Sequence, residues 1–284
     1  MINRKMIGRV LGMLLFIELG MFLLCAGVSA GYGESDYKYF LYTCIINAVV
    51  GGLLLLYGRG AENKMSRRDG YCVVTLSWVF FTFFGMLPFY FSGSIDTITN
   101  AFFETMSGFT TTGATILDDI ESLSHGMLFW RSLTQWIGGL GIVFFTIAIL
   151  PIFTTGGVQL FSAESTGVTH DRTHPKINVM AKWLWTIYLV LTVSETVLLM
   201  FGGMSLFDAI CQSFATTATG GYSTKQNSIS YWNSPYIEYV VAIFMIVSSI
   251  NFSLFLMCLK GKVGRLFKDE ELHWFLASVG ILTF

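Results

Sequence analysis

The sequence has few charged side chains. Asp, Glu, Lys and Arg make up 12% of its 284 residues, whereas 54% are hydrophobic and 16% aromatic. Soluble globular domains carry about 25% charged residues, so this composition excludes an ordinary soluble domain and indicates a membrane protein with several crossings. The formal net charge of −1 gives no reason to expect nucleic acid as a partner.

Cysteine is also scarce, and its pattern argues against redox chemistry. The cysteines lie inside apolar runs, and no two of them have C-x-x-C spacing. Cysteines of this kind behave as small hydrophobic side chains. We therefore predict five reduced packing residues: Cys25, Cys44, Cys72, Cys211 and Cys258.

Long apolar runs dominate the rest of the sequence. A hydrocarbon core of about 30 Å requires about 20 helical residues. Six segments approach that length: residues 7–28, 40–57, 71–91, 127–153, 180–201 and 236–259. A seventh run begins near Leu272 and meets the last residue after about 13 residues, roughly 20 Å as a helix. We predict an all-α polytopic fold whose chain ends inside the seventh helix, and a first run that is a membrane helix because no A-x-A-like cleavage site follows it.

Basic residues fall in alternate connections between these segments. The positive-inside rule assigns those connections, and the N-terminus, to the cytoplasm. They contain Arg4, Lys5, Arg59, Lys64, Arg67, Arg68, Arg172, Lys176, Lys182, Lys260, Lys262, Arg265 and Lys268. The other connections are predicted to face outward. They carry Glu34, Asp36, Asp118, Asp119 and Glu121, with Lys38, Arg131 and Lys225 as a basic minority.

Two shorter segments, residues 97–109 and 205–217, lie between crossings three and four and between crossings five and six. Each is too short to cross the bilayer, and the alternation of the loops requires each to enter and leave on the same side. Each begins with a hydroxyl residue followed three positions later by Asn or Asp, which resembles a capping box. We predict two re-entrant helices that open outward.

Residues 100–115 and 208–223 align without a gap at a separation of 108 positions. After each re-entrant helix comes a Thr/Gly segment, the first at residues 111–113 and the second at residues 219–221. The carbonyls at a helix C-terminus favour cations, and extended backbone carbonyls can replace an ion's hydration shell. Because neither segment contains a carboxylate, the pattern favours potassium over calcium. The predicted ion-binding residues are Thr111, Thr112, Gly113, Thr219, Gly220 and Gly221, with positive φ expected at Gly113 and Gly221.

Several other polar residues leave alternatives open. Asp118, Asp119 and Glu121 either raise the cation concentration at the outer mouth or form a solvated acidic loop. Glu18 and Glu195, inside apolar spans, are either functional or paired structurally. In the fourth crossing, Arg131 either extends to the membrane–water interface or pairs with an outer carboxylate. The glycines of residues 138–141 fit close helix packing better than a phosphate-binding loop.

Residues 104–115, 130–141 and 218–224 resemble the Trk/Ktr/HKT superfamily of potassium transporters, most closely its TrkH type. In that family four M1–pore loop–M2 repeats surround one ion path, and the TrkH type adds two N-terminal helices. The resemblance implies extra helices in residues 1–69, a first repeat in 70–153, a cytoplasmic linker in 154–179, a second repeat in 180–260, and a linker with the start of a truncated third repeat in 261–284. The family's gating loop and the basic residue of its fourth repeat have no counterpart in these residues.

The resemblance also implies potassium uptake in the bacterial inner membrane, without covalent chemistry and without an organic cofactor on this chain. A homodimer and a cytoplasmic ring of RCK-type nucleotide-binding subunits are the implied partners, besides membrane lipid. The alternatives are a sodium-permeable or ion-coupled relative, and a non-conducting truncated product. A polytopic enzyme or receptor is disfavoured because the loops hold no cluster of His, Asp and Glu.

Overall fold

The computed structural model describes residues 2–61, 66–141, 177–252, 254–255, 264 and 269–283, and in these ranges the chain is helical with no β-strand. The helices are α1 (Arg4–Gly31), α2 (Tyr37–Tyr57), α3 (Arg67–Gly85), α4 (Leu87–Phe91), α5 (Ile98–Phe109), α6 (His125–Gly139), α7 (Ile177–Phe201), α8 (Leu206–Thr217), α9 (Pro235–Ser249) and α10 (Glu270–Thr283). A 3-10 helix at Ser228–Trp232 precedes α9. The all-α fold is as predicted.

Helices α1 and α2 form an N-terminal hairpin that packs on the rest of the molecule mainly through α1, which contacts α3 and α6, while α2 contacts α4. The hairpin is close because glycines face each other where its helices cross. A Cβ atom on Gly12 would lie only 2.8 Å from the carbonyl oxygen of Gly51. Small residues allow such backbone approach between membrane helices, where burial of apolar surface gives little driving force.

The third crossing begins earlier and is less regular than its apolar pattern predicted. Ser66 and Asp69 form a reciprocal capping box, so α3 starts at Arg67. The helix then breaks at Met86, before α4, which has Pro88 in its first turn. Proline lacks the N–H that would bond to the carbonyl four residues back, which accounts for the interruption.

Four described helical spans are long and apolar enough to cross a membrane: Arg4–Gly31, Tyr37–Tyr57, Arg68–Phe91 and Lys182–Phe201. The described parts of the predicted fourth and sixth crossings each contain a break in the helix. Helix α6 ends at Gly139 because Gly141 adopts φ 74°, and α9 ends at Ser249 because Ile250 is extended. Three predicted parts of the chain lie outside the described residues. They are the rest of the fourth crossing at 142–153, the end of the sixth crossing at 256–259, and most of the predicted linker at 154–179.

The larger buried hydrophobic cluster lies mainly in the N-terminal half of the chain, and a smaller one lies between α7, α8 and α9. The largest fully buried side chains of the larger cluster include Phe22, Phe40, Phe109 and Trp130, which lie on α1, α2, α5 and α6. The indole Nε1 of Trp130 donates a 2.8 Å hydrogen bond to the carbonyl oxygen of Gly85 at the end of α3. Four of the predicted packing cysteines are free thiols, namely Cys25, Cys44, Cys72 and Cys211. Cys258 lies outside the described residues.

Candidate functional site

The two re-entrant helices predicted from the sequence are α5 and α8, each of 12 residues. Thr97 and Ser205 are their N-caps, and each side-chain oxygen accepts a hydrogen bond from the backbone N–H three residues later, at 3.2 and 3.0 Å. The capping is therefore equivalent in the two helices. At about 1.5 Å per residue each helix is roughly 18 Å long, too short to cross a bilayer.

Both helices end in the same motif. The N–H groups of Thr111 and Thr112 donate to the carbonyls of Gly108 and Ser107, at 3.0 and 2.9 Å. The residues 108 positions later, 219 and 220, repeat these bonds at 2.9 and 2.8 Å, with residues 216 and 215 as acceptors. This is the Schellman pattern, which usually places glycine in the left-handed position.

Here that left-handed position holds threonine in both copies. Thr111 and Thr219 each have φ 53°, a conformation that costs an L-residue about 1–2 kcal/mol. The positive φ values expected at Gly113 and Gly221 are also present, at 75° and 85°. Each Thr/Gly segment thus leaves its helix through two left-handed residues, and strain of this kind clusters at functional sites.

The two Thr/Gly segments lie side by side. A Cβ atom on Gly113 would overlap the carbonyl oxygen of Gly220, so only glycine permits this approach. None of the described residues donates a hydrogen bond to a carbonyl oxygen of residues 111–113 or 219–221. Thr112, Thr219 and Gly221 are exposed. The six predicted residues therefore form one group of carbonyl oxygens that lack protein partners.

Helix α6 supports both segments from behind. Cβ atoms on Gly138 and Gly139 would collide with the carbonyl oxygen of Phe109 and with Ala218, the residues that end or follow α5 and α8. The side-chain oxygen of Gln135 accepts a 3.1 Å hydrogen bond from the backbone N–H of Tyr222. Close helix packing is therefore the role of the two glycines, as predicted.

Arg131 and Glu104 form a buried ion pair between α6 and α5. Arg131 Nε lies 2.8 Å from Glu104 Oε1, and the two side chains are 3% and 0% exposed. The sequence left Arg131 between the interface and an outer carboxylate, and its partner is instead a carboxylate of the first re-entrant helix. Glu104 was not predicted as a site residue, although a carboxylate within a largely apolar helix is a usable signal of function.

The acidic residues of the predicted outer mouth differ in their surroundings. Glu121 Oε2 lies 3.5 Å from Lys225 Nζ, and Glu121 also accepts a hydrogen bond from the backbone of Gln226. Asp119 accepts hydrogen bonds from the N–H groups of Glu121 and Ser122. Asp118 is exposed. Lys225 therefore partly offsets the negative charge of Glu121.

Glu34, in the loop between α1 and α2, fixes the N-terminus of α6. Its carboxylate accepts hydrogen bonds from the N–H groups of His125 and Gly126 and lies 2.7 Å from the His125 ring nitrogen Nδ1. Burial opposes ionisation of this carboxyl, but the hydrogen bonds and the imidazole charge outweigh it, so the pKa of Glu34 is lowered. The His125 ring also stacks on Tyr32, with centroids 3.9 Å apart.

Glu18 and Glu195 are both completely buried and lie outside the Thr/Gly segments. Glu18 accepts a 3.1 Å hydrogen bond from Asn47 on α2, and Glu195 accepts a 3.4 Å hydrogen bond from Thr217 at the end of α8. The hydrogen bond from Asn47 favours a structural role for Glu18 over a role in ion passage. Glu195 touches the helix that leads into the second Thr/Gly segment.

Comparison with known proteins places these features in a family. The family model described as TrkH, cation transport protein, matches residues 37–281. The Trk system potassium uptake protein TrkH of Escherichia coli K12 is 40% identical over 275 residues, which cover 96% of this chain and 57% of the relative. The TrkG protein of the same organism is 33% identical and is matched over 90% of this chain and 53% of its own length.

The crystal structure of the potassium transporter TrkH from Vibrio parahaemolyticus superposes with a TM-score of 0.82 and 33% sequence identity. The superposition covers 96% of this chain and 56% of that one. The chain thus spans about half the length of the proteins it matches.

Proposed function

Because the chain belongs to the TrkH family of cation transport proteins, we propose that it forms part of a potassium uptake path. The relatives it matches are named potassium uptake proteins, and about half of their length is represented here. The proposal therefore concerns the full-length gene product. In it, residues 111–113 and 219–221 are two of the segments that select the ion.

The observation that carries this proposal concerns the backbone carbonyls of residues 111–113 and 219–221. These two sets lie at equivalent positions in the repeats, and neither has a hydrogen-bond partner among the described residues. Backbone carbonyls that are not exposed normally have hydrogen-bond partners, and Thr111, Gly113 and Gly220 are not exposed. Here two adjacent segments keep theirs free beside the C-terminal ends of α5 and α8, where the helix dipole is negative. A dehydrated monovalent cation would satisfy these oxygens, and they would replace part of its water shell.

The same proposal assigns an arrangement in the membrane. The Thr/Gly segments open to the outside, the N-terminus is cytoplasmic, and the membrane is the bacterial inner membrane. Asp118 and Asp119 raise the local cation concentration at the entrance, an effect that salt weakens. The full-length protein would form a homodimer and bind an RCK-type regulatory ring through its basic cytoplasmic loops, with any nucleotide held by that ring.

Ion uptake in cells that lack their own potassium uptake systems tests the proposal. The full-length gene product should restore growth at low external potassium, and it should take up potassium in preference to sodium when the two compete. Equal uptake of the two ions, or preference for sodium, would identify the sodium-permeable alternative. Absence of uptake of either ion by protein present in the membrane would contradict the proposal.

A further inference from the structure

We propose that the buried ion pair of Glu104 and Arg131 is a clamp that holds the two Thr/Gly segments at a fixed separation, and that Arg131 is a positioning residue for ion selectivity. This inference rests on the proposed function, because it assigns a role in selectivity to residues that do not themselves line the path. It assigns no ion contact to either side chain.

On the first segment, the carboxylate of Glu104 holds the chain just beyond Gly113. Its Oε1 accepts a 3.0 Å hydrogen bond from Thr115 Oγ1, and its Oε2 accepts a 3.0 Å hydrogen bond from the N–H of Ile116. Glu104 is 1% exposed. The chain leaving the first segment is therefore bound to α5 through a single buried side chain.

Arg131 binds the chain just beyond the second segment, at the position equivalent to Thr115. Its Nη1 donates a 3.0 Å hydrogen bond to the carbonyl oxygen of Ser223, and its guanidinium carbon lies 3.5 Å from the centre of the Tyr222 ring. Ser223 follows Gly221 by two residues, as Thr115 follows Gly113, and the two positions are 108 apart. The clamp thus joins matching points of the two segments.

Tyr222, which follows the second Thr/Gly segment, also binds the first repeat. Its hydroxyl donates to the backbone carbonyls of Glu104 and Ala114, at 2.9 and 3.3 Å. Ala114 and Tyr222 are themselves equivalent positions in the two repeats. The groups that the pair holds, Thr115 and Ile116 on one side and Ser223 on the other, follow closely after the two Thr/Gly segments. A shift of Arg131 therefore changes the separation of the segments.

The second repeat shows that folding of a pore loop does not require such an ion pair. Gln212 lies 108 positions after Glu104, and Val241, the seventh residue of α9, corresponds to Arg131, the seventh residue of α6; neither counterpart is charged. Nevertheless α8 has the same N-cap bond, the same two terminal hydrogen bonds and the same left-handed threonine as α5. The ion pair is therefore not needed for these features of the local fold, and Arg131 adds to it a contact with Ser223 in the second repeat.

A buried pair suits this role better than the exposed one nearby. Glu121 and Lys225 also connect the two loops, but at 3.5 Å and with side chains 41% and 22% exposed. Exposed pairs are screened by salt and hold geometry weakly. Arginine has a planar fork that bonds two acceptors at once, which lysine cannot reproduce.

The test replaces the two charged residues of the first repeat with neutral ones, since the second repeat has neutral residues at the corresponding positions. The double variant Glu104→Gln/Arg131→Met removes both charges together, so neither is left buried and unpaired. In the full-length protein we expect a normal amount in the membrane and a fall of about tenfold or more in the ratio of potassium to sodium uptake, equivalent to about 1.4 kcal/mol. Glu34→Gln is the matched control, because it weakens a contact of the same helix α6 away from both segments and should leave the ratio unchanged.

A second variant keeps the test decisive if the double variant fails to accumulate. Arg131→Lys retains a positive charge beside Glu104 but cannot also bond Ser223. We expect it to reach the membrane with a reduced uptake ratio and a raised half-saturation concentration for potassium. A wild-type ratio in either variant that accumulates would overturn the inference, and so would failure of both to accumulate, because the pair would then serve folding.

Failure of the inference can be told apart from failure of the proposed function by a substitution at Gly113. If Gly113→Ala lowers the uptake ratio while the clamp variants do not, the Thr/Gly segments select the ion and the clamp does not. If neither substitution alters the ratio, the segments themselves are wrongly assigned.

Discussion

Replacing Gly113 with alanine perturbs the candidate path at one defined point. Gly113 has φ 75°, and the new Cβ atom would overlap the Gly220 carbonyl oxygen. The backbone strain costs about 1–2 kcal/mol, and overpacking adds about 1–3 kcal/mol. A domain with a stability of about 5–15 kcal/mol survives this sum, so the main consequence is displacement of a carbonyl that is proposed to face the ion.

Gly93→Ala separates the strain from the displacement. Gly93 has φ 72°, nearly that of Gly113, and a Cβ atom there has nothing within 4 Å. Competitive uptake of potassium and sodium by the full-length protein, normalised to protein in the membrane, is the assay. We expect the ratio to fall by about tenfold or more for Gly113→Ala, about 1.4 kcal/mol, and to stay at the wild-type value for Gly93→Ala. Equal ratios for the two variants would refute the reasoning.

Two further predictions concern the supports of the site. Gly138→Ala should lower the amount of protein in the membrane, because its Cβ would collide with the Phe109 carbonyl, at a cost of about 1–3 kcal/mol or more; Gly20→Ala, with nothing within 4 Å, should not. Glu34 has a lowered folded-state pKa, so it stabilises the fold above its unfolded pKa of about 4.3 and loses this contribution as the pH falls below that value. The thermal midpoint of Glu34→Gln should therefore depend less on pH in the acid range than that of the wild type, and an identical dependence would exclude the role given to this carboxylate.

The repeated short helix and the Thr/Gly segment that follows it could be predicted from the sequence because their signals are local. A hydroxyl N-cap, 12 apolar-rich helical residues and a terminal Thr/Gly pair recur at one separation, and α5 and α8 begin and end within one residue of the predicted limits. Because helices of 12 residues are shorter than the bilayer is thick, a re-entrant path is then predicted for both. These arguments need no knowledge of tertiary contacts.

The remaining features depend on contacts between distant parts of the chain. Threonine in a left-handed position is not indicated by its own propensity, yet Thr111 and Thr219 adopt it because the Schellman bonds of both helices require it. The partner of Arg131 could not be deduced because Glu104 lies 27 residues earlier on another helix. Likewise the end of α6 at Gly139 follows from Gly141, which apolar periodicity does not distinguish from a helical glycine.

The central claim is that main-chain oxygens of residues 111–113 and 219–221 bind the transported ion. Anomalous diffraction from crystals of the full-length protein soaked in rubidium tests it directly, because rubidium replaces potassium and its position can be read without assumptions about the path. We predict rubidium density between the Gly113 and Gly220 backbones, lost when sodium replaces rubidium. Density held by the carboxylates of Asp118 or Asp119, with none between the two Thr/Gly segments, would contradict the account.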